Sequence, residues 1–454
     1  MTVIFAKRAL LAQGWAENVL ITVENGEIAT VNSLAKPPAR AVKVDTLLPA
    51  LGNVHSHTFQ RAMAGMTEVR AAGRDSFWTW RDLMYRFVDQ LTPEHIEAIA
   101  SLAFMEMQEA GYASVGEFHY VHHQRGGDHY DDRAELSNRI IAAAHTTGIG
   151  LTHLPVLYTY GGAGRTALSA GQRRFGNDVD QFWQLYEQLR NNMSALPADF
   201  RMGIAPHSLR ATSPEDLRTL LAIHKAGPVH MHIAEQMLEV EAIQSWLGAR
   251  PVEWLLDNVN VTADWCLVHA THLNENETVD LARTGAVAGL CPITEANLGD
   301  GIFNGAAFLQ AGGAFGIGTD SNVQISLSDE LRMLEYSQRL RDRARNVMVV
   351  GEGSVGHTLY TSAAKGGAQA LGRNAGEIAV GKLADLVAIN CDTPALYALA
   401  THQLLDGLVF AAKDSVVTDV WSAGRHCVVE GKHIQHDIIV SRYRTAIAAL
   451  VQTL

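Results

Sequence analysis

Two histidines separated by one serine, His55 and His57, follow an apolar run over residues 47–54. If that run is a strand, side chains two positions apart point to the same side, so both imidazoles can reach one metal ion. A histidine pair can equally be hydrogen-bonded at a surface, and the spacing alone favours that interpretation. Further polar residues at the ends of other predicted strands make metal binding the stronger hypothesis.

A second pair of histidines, His230 and His232, lies in the predicted strand that begins at Val229. Alternation places both on one face, and Glu235 begins the loop that follows. His232 is nearer the strand end and can reach a metal there, whereas His230 is interpreted as a core histidine. Neutral imidazole and carboxylate are suitable zinc donors, and a catalytic zinc site keeps one position open for water.

A carboxylate and another histidine end two more predicted strands. Asp320 closes a small-residue apolar run over residues 314–320, where it could bind metal and share the proton of a water. Taken alone, Asp320 would be read as the N-cap of the next helix. His269 ends the run over residues 267–269 and is available for proton transfer, with His272 as a less favoured alternative.

Strand-like apolar runs alternate with helix-period stretches through the middle of the chain, which indicates βα units around a parallel sheet. Eight such runs can be counted, the number that a (β/α)8 TIM-type barrel requires. Because barrel active sites form at the carboxyl ends of the strands, polar residues at those ends are expected to converge. The predicted strands end near His55, His119, Leu157, His207, His232, His269, Pro292 and Asp320.

Short β segments with turn signals occupy both ends of the chain, and we expect them to pair into one small domain. The fold class is therefore predicted as α/β, a barrel with a small β-sandwich domain built from both termini. The predicted boundaries place residues 1–48 and 376–454 in the β-sandwich and residues 49–375 in the barrel.

Composition limits the classes of partner. The chain has 454 residues, 47% of them hydrophobic, and a formal net charge of −12, which disfavours nucleic acid and anionic membranes. No run of about 18 apolar residues occurs, so a membrane-spanning helix is not expected. Four scattered cysteines without a CxxC pair fit a reducing, cytoplasmic location.

Taken together, these residues resemble the amidohydrolase superfamily, in its deaminase branch, over the whole chain. Residues 376–387 are similar to that superfamily's exit into its β-sandwich domain. The resemblance implies one zinc ion per subunit, held by His55, His57, His232 and Asp320, and a homodimer. Binuclear members carry a bridging lysine on a middle strand, but the only lysine between Gln60 and His230 is Lys225, in a helix-like stretch, so a single metal is expected.

Other segments resemble members of the branch that release ammonia from N-formimidoyl-L-glutamate. They are residues 52–61, 78–81, 117–122, 205–210 and 232–236. The resemblance implies that Glu235 and His269 move protons together with Asp320, and that the substrate is a small dicarboxylate. The substrate-binding residues it implies are Gln60, Arg81, Tyr120, His207 and Arg210.

Two arginines make physical sense for such a substrate. Burying two carboxylates requires guanidinium groups or other donors, because an unpaired buried carboxylate is very costly. Arg81 and Arg210 meet that requirement, although either could instead be a solvent-facing loop residue, and Tyr120 could be a packing aromatic.

Two other functions remain open from the sequence. The same fold and metal could serve a heterocyclic amine such as guanine, whose flat uncharged ring would not need both arginines. A silent barrel kept for protein interaction is the second alternative, although such proteins usually lose metal ligands. Iron or manganese could also replace zinc, because imidazole and carboxylate accept them.

Overall fold

A computed structural model of the protein describes residues 1–34, 36–69, 77–194 and 196–451, and its strands form two sheets. The first sheet takes strands from both ends of the chain, and the second takes its strands from the middle. The strands are β1 (Thr2–Leu11), β2 (Gly14–Glu24), β3 (Glu27–Ser33), β4 (Val42–Pro49), β5 (Leu51–Ser56), β6 (Tyr112–His119), β7 (Gly150–Leu157), β8 (Arg201–Met202), β9 (Ala205–Pro206), β10 (Val229–Ile233), β11 (Trp265–His269), β12 (Val287–Leu290), β13 (Ala314–Ile317), β14 (Leu386–Ile389), β15 (Val417–Ser422), β16 (Arg425–Val429) and β17 (Lys432–His433).

The middle sheet closes on itself. β5, β6 and β7 pair in parallel, as do β10 to β13, and β13 pairs back with β5 through Ile317 and Asn53. β8 and β9 share the remaining position, both pairing with β7, while Ile204 between them bridges to Val229 at the start of β10. The eight parallel positions confirm the predicted barrel.

Gly203 shows why the fourth position is interrupted. A Cβ at this residue would lie 2.4 Å from the carbonyl oxygen of Pro228, so only glycine permits the close approach of the two backbones. After this break the chain continues through β9, and His207 directly follows the last residue of β9. His207 therefore lies at the carboxyl end of the barrel.

Helices surround the barrel, and many begin at a side chain that caps them. Asp178, Ser213, Asn274 and Ser326 each accept a hydrogen bond from a backbone N–H in the first turn of the following helix. No helix in the described part of the chain is long and apolar enough to cross a membrane. The helices are α1 (Phe77–Val88), α2 (Pro93–Glu109), α3 (Glu135–Thr147), α4 (Val179–Met193), α5 (Pro214–Ile223), α6 (Met237–Leu247), α7 (Pro251–Asn258), α8 (Glu275–Arg283), α9 (Pro292–Leu298), α10 (Gly305–Gln310), α11 (Leu327–Asp342), α12 (Val355–Ala370), α13 (Leu404–Phe410) and α14 (His436–Val451).

The terminal sheet has eight strands in the order β17, β16, β15, β14, β4, β1, β2, β3. The two ends of the chain meet where β14 pairs antiparallel with β4 and Leu386 lies opposite Pro49. The helix α14 leaves this sheet and packs against α2 of the barrel, with Ile439 against Leu102 and Met105. The two ends therefore form one sheet, as the sequence predicts, while the domain boundaries after residues 48 and 375 stay predictions.

A network of ion pairs, buried except at the half-buried Arg425, joins the terminal sheet to the barrel. Arg373, which follows α12, pairs with Asp385 at 2.9 Å and with Asp199 at 3.4 Å, and Arg425 of β16 pairs with Asp199 at 2.6 Å. Burial tends to raise the pKa of Asp199, but the two guanidinium groups outweigh it and hold the pKa below its usual value. Each buried charge is therefore matched by a partner across the domain contact.

Candidate metal centre and substrate pocket

The backbone turns sharply where several barrel strands end. Ala234, His269 and Asp320 have φ values of 51°, 66° and 44°, in the left-handed region that non-glycine residues rarely adopt. Hydrogen bonds fix part of this turn, since the N–H of Asp320 donates to the carbonyl of His55 and the N–H of His57 donates to the carbonyl of Asp320, each at 2.9 Å. Such conformations cluster at functional sites, where the surrounding structure maintains them.

The structure brings His55, His57, His232 and Asp320 together, with one ligand atom from each lying within 4.8 Å of all the others. The Nε2 atoms of His55 and His57 are 3.1 Å apart, and each lies 3.4 Å from Oδ1 of Asp320. All four residues are buried. Three nitrogens and one carboxylate oxygen at this spacing form a donor set suited to a divalent metal.

Hydrogen bonds on the far side of two rings orient this donor set. Nδ1 of His57 lies 2.9 Å from the carbonyl oxygen of Phe118, and Nδ1 of His232 lies 3.3 Å from that of His207. Each Nδ1–H therefore donates outwards and leaves the Nε2 lone pair for a metal. Burial lowers the pKa of His57 to about 3 and those of His55 and His232 well below the usual value, so the imidazoles are neutral, as metal binding requires.

Two groups that can exchange protons, Glu235 and His269, lie beside the metal donors. Nε2 of His269 is 3.8 Å from Oε1 of Glu235 and 3.9 Å from Oδ2 of Asp320. Burial raises the pKa of Glu235 to about 7, so this carboxyl can hold a proton near neutrality. Burial lowers the pKa of His269, but the negative charge of Glu235 and its neighbours dominates and raises it to about 10.

A single buried carboxylate, that of Glu239, holds both Glu235 and Arg210 in place. It accepts hydrogen bonds from the backbone N–H of Ala234 at 3.1 Å and of Glu235 at 3.2 Å. Its Oε2 also lies 3.7 Å from Nε of Arg210, whose Nη2 is 3.6 Å from Glu235. The side chain of Arg210 is only 12% exposed, so Arg210 is not a solvent-facing loop arginine.

One pocket joins all these groups. It is lined by every residue predicted to bind substrate, by Glu235 and His269, and by three of the four metal donors, while His55 lies buried beneath it. Arg81 reaches the pocket from α1, with its guanidinium carbon 4.4 Å from the ring centroid of Trp78. Among the described residues its buried Nε has no hydrogen-bond partner, which leaves that N–H available to a ligand.

The other predicted substrate residues form the polar part of the wall. Gln60 donates from Nε2 to the hydroxyl of Tyr120 at 2.9 Å, and the Tyr120 ring lies 4.8 Å from that of His57. Nδ1 of His207 lies 2.9 Å from the Ser208 hydroxyl. Tyr120 therefore both packs in the wall and presents a polar group, and the substrate-binding role of these residues stays a prediction.

The structure also decides the alternatives that the sequence left open for four residues. They are His230, His272, Asp320 and Lys225. His230 is buried and its Nε2 lies 2.7 Å from the carbonyl oxygen of Ala370, while His272 does not line the pocket. The helix after Asp320 is capped by Ser326, so Asp320 is not its N-cap. Lys225 follows α5 on an exposed loop rather than lying in a helix, and its Nζ donates to the carbonyl of Ala222.

Several pocket residues escaped the sequence reasoning. Tyr158 directly follows β7, so the rule that strand ends carry the site could have found it. Tyr85 lies four residues after Arg81 and shares its helix face, a weaker signal. Glu239 and Glu295, which contact functional residues, lie early in helices where glutamate is common, and no sequence signal separates them from ordinary surface residues.

Comparison with known proteins shows the class to which this fold and site belong. The amidohydrolase family profile matches residues 46–427, and the chain belongs to that family. A second profile, described as the N-terminal domain of formimidoylglutamate deiminase HutF, matches residues 1–40.

Two proteins with similar sequences and one solved structure show how similar this chain is to individual members of the family. Formimidoylglutamate deiminase of Pseudomonas aeruginosa is 50% identical over 95% of this chain and 96% of its own length. A 5-methylthioadenosine/S-adenosylhomocysteine deaminase of Natronomonas pharaonis is 29% identical over 92% of this chain and 88% of its own. The crystal structure of an amidohydrolase from Brucella melitensis superposes with a TM-score of 0.95 at 45% identity, covering 99% of this chain and 100% of that one.

Replacing His232 by Ala should remove bound metal, because it deletes one of four donors that converge on one point. His230→Ala is the matched control, since His230 lies two residues away, is not one of the four donors, and has its Nε2 2.7 Å from the carbonyl oxygen of Ala370. Metal analysis of the purified proteins, with circular dichroism to verify folding, makes the comparison. Full metal content in folded His232→Ala would exclude His232 as a ligand.

Proposed function

We propose that this chain hydrolyses N-formimidoyl-L-glutamate to N-formyl-L-glutamate and ammonia, with zinc held by His55, His57, His232 and Asp320. The observation that carries the proposal is that these metal donors and two arginines, Arg81 and Arg210, belong to one pocket. The relative from Pseudomonas aeruginosa, 50% identical over 95% of this chain, is named for the same activity.

The donor set fits zinc. Three neutral imidazoles and one carboxylate would hold zinc, and two of the rings are oriented by hydrogen bonds to backbone carbonyls. When bound, zinc lowers the pKa of water toward about 7 and so supplies hydroxide at neutral pH.

The pocket matches a substrate with two carboxylates. Arg210 and Arg81 supply the guanidinium groups that such a ligand needs when it leaves water. Gln60, Tyr120 and His207 add polar atoms to the same wall. A flat uncharged heterocycle such as guanine would offer no carboxylate to the Nε of Arg81, which is unpartnered among the described residues, and a silent scaffold would have no need for a complete donor set.

Three residues would move the protons of the reaction. Asp320 takes the proton of the attacking water, which His269 steers, as the water oxygen adds to the formimidoyl carbon and that carbon becomes tetrahedral. Glu235, whose pKa of about 7 lets it hold a proton at neutral pH, delivers that proton to the former imino nitrogen. Asp320 passes the proton of the water to the same nitrogen, the carbon–nitrogen bond breaks and ammonia leaves. The hydroxyl proton of the intermediate returns to Glu235, and N-formyl-L-glutamate remains.

We also keep a homodimer and a cytoplasmic location as part of the proposal. The location is supported by the four cysteines, which are all free and buried, as is usual for proteins of reducing compartments.

Ammonia release from a panel of substrates tests the proposed function directly. N-formimidoyl-L-glutamate, guanine and 5′-methylthioadenosine are offered to the zinc-loaded protein in a coupled assay. We expect turnover of N-formimidoyl-L-glutamate and little or none of guanine and 5′-methylthioadenosine. Preferential turnover of either purine compound would replace the proposed substrate by a heterocyclic amine.

Replacing Arg210 by Met should weaken substrate binding, because it removes a charge-assisted contact worth about 1.5–3 kcal/mol. We expect kcat/KM to fall about 10- to 100-fold, mainly through a higher KM. Arg218→Met is the control, since Arg218 is exposed on α5. Steady-state kinetics that match the unaltered protein would remove Arg210 from the substrate site.

Replacing Glu235 by Gln should stop proton delivery while metal stays bound, because Glu235 is not among the four donors. General acid–base groups contribute about 100- to 10,000-fold, and we expect a loss of kcat in that range. Glu241→Gln, an exposed change on α6, serves as the control. Full activity in Glu235→Gln would contradict the assigned role.

A further inference from the structure

Among the described residues, the imidazole of His269 has a hydrogen-bond partner at only one of its two nitrogens. Its Nδ1 lies 3.2 Å from Oε1 of Glu295, while its Nε2, fully buried, has no hydrogen-bond partner among the described residues and points toward Glu235 and Asp320. His269 is the last residue of β11, and its φ of 66° turns the chain out of the strand, so regular strand geometry does not orient its side chain. The contact with Glu295 is therefore what fixes the ring.

Glu295 is itself rigidly placed. It lies in α9, one strand further around the barrel, and its Oε1 also accepts the backbone N–H of Cys291 at 2.9 Å. The residue is 5% exposed, so water does not compete freely for its carboxylate. A carboxylate accepts hydrogen bonds and cannot donate them when ionised, which requires a proton on the Nδ1 of His269.

We propose that Glu295 is a positioning residue for the reaction: it accepts the Nδ1–H of His269 and so aims Nε2 at the reacting atoms. Carboxylate–histidine pairs that fix the orientation and tautomer of an imidazole are a general device in enzyme sites. This inference rests on the proposed function, because it assigns Glu295 to the proton path through His269. Glu295 touches neither substrate nor metal donors and acts only through His269.

Replacing Glu295 by Gln tests the proposal, because the amide can still accept the Cys291 N–H but can also turn its NH2 toward Nδ1. We expect kcat to fall about 10- to 100-fold, with KM and metal content unchanged. Glu330→Gln is the matched control: Glu330 is fully buried and accepts the N–H of Ile293 in the same helix start, without contacting His269. That variant should keep its kcat.

A double-mutant cycle separates positioning from a purely structural role. In a His269→Gln background, Glu295→Gln should cause no further loss of kcat, because the residue acts through the imidazole. Equal losses with and without His269, or an unchanged kcat in Glu295→Gln alone, would overturn the proposal.

Histidine NMR keeps the test independent of the substrate. In protein labelled with nitrogen-15 at histidine, the Nδ1–H signal of His269, assigned from its loss in His269→Gln, should show a strong hydrogen bond that is weakened or lost in Glu295→Gln. A spectrum of His269 that is the same in both proteins would refute the positioning role. Failure of the unaltered protein to release ammonia from N-formimidoyl-L-glutamate would instead refute the proposed function and leave the NMR result to decide the role of Glu295.

Discussion

The lone pairs of three buried imidazoles and a carboxylate meet where β5, β10 and β13 end, with His55 and His57 nitrogens 3.1 Å apart. Such a concentration of electron-rich atoms among buried side chains is costly unless a cation shares it. Its geometry depends on closure of the barrel, because Asp320 reaches His55 only where β13 pairs with β5. The metal site can therefore form only when the barrel sheet is closed.

The second layer of the site uses carboxylates in a repeated way. Glu239 and Glu295 each lie in a helix that follows a strand, reach back to a backbone N–H at its beginning, and contact a functional side chain, Arg210 or His269. The same hydrogen bonds that stabilise irregular backbone at the strand end therefore also orient the groups in the pocket. The same two glutamates therefore stabilise the strained backbone and orient the side chains of the pocket.

The sequence predicts the barrel and the convergence of the four candidate donors, because both depend on local patterns. Period-two alternation identifies His57 and His232 as strand-end residues, and the structure places them together. The sequence could not predict the contact of Glu295 with His269 or the pairing of Arg373 with Asp199, because no local pattern relates the residues that these contacts join. The broken fourth strand also escaped, since the approach of Gly203 to Pro228 is a tertiary contact.

The terminal sheet has a consequence for how the chain is made. β4 leaves the ribosome early, but β14, its partner on one edge, follows about 340 residues later. At roughly 5–20 residues per second, that edge waits on the order of 20–70 seconds during synthesis. Throughout this interval its unpaired N–H and C=O groups are a template for wrong partners. The nascent barrel must therefore fold beside a half-finished sheet that only the last strands can complete.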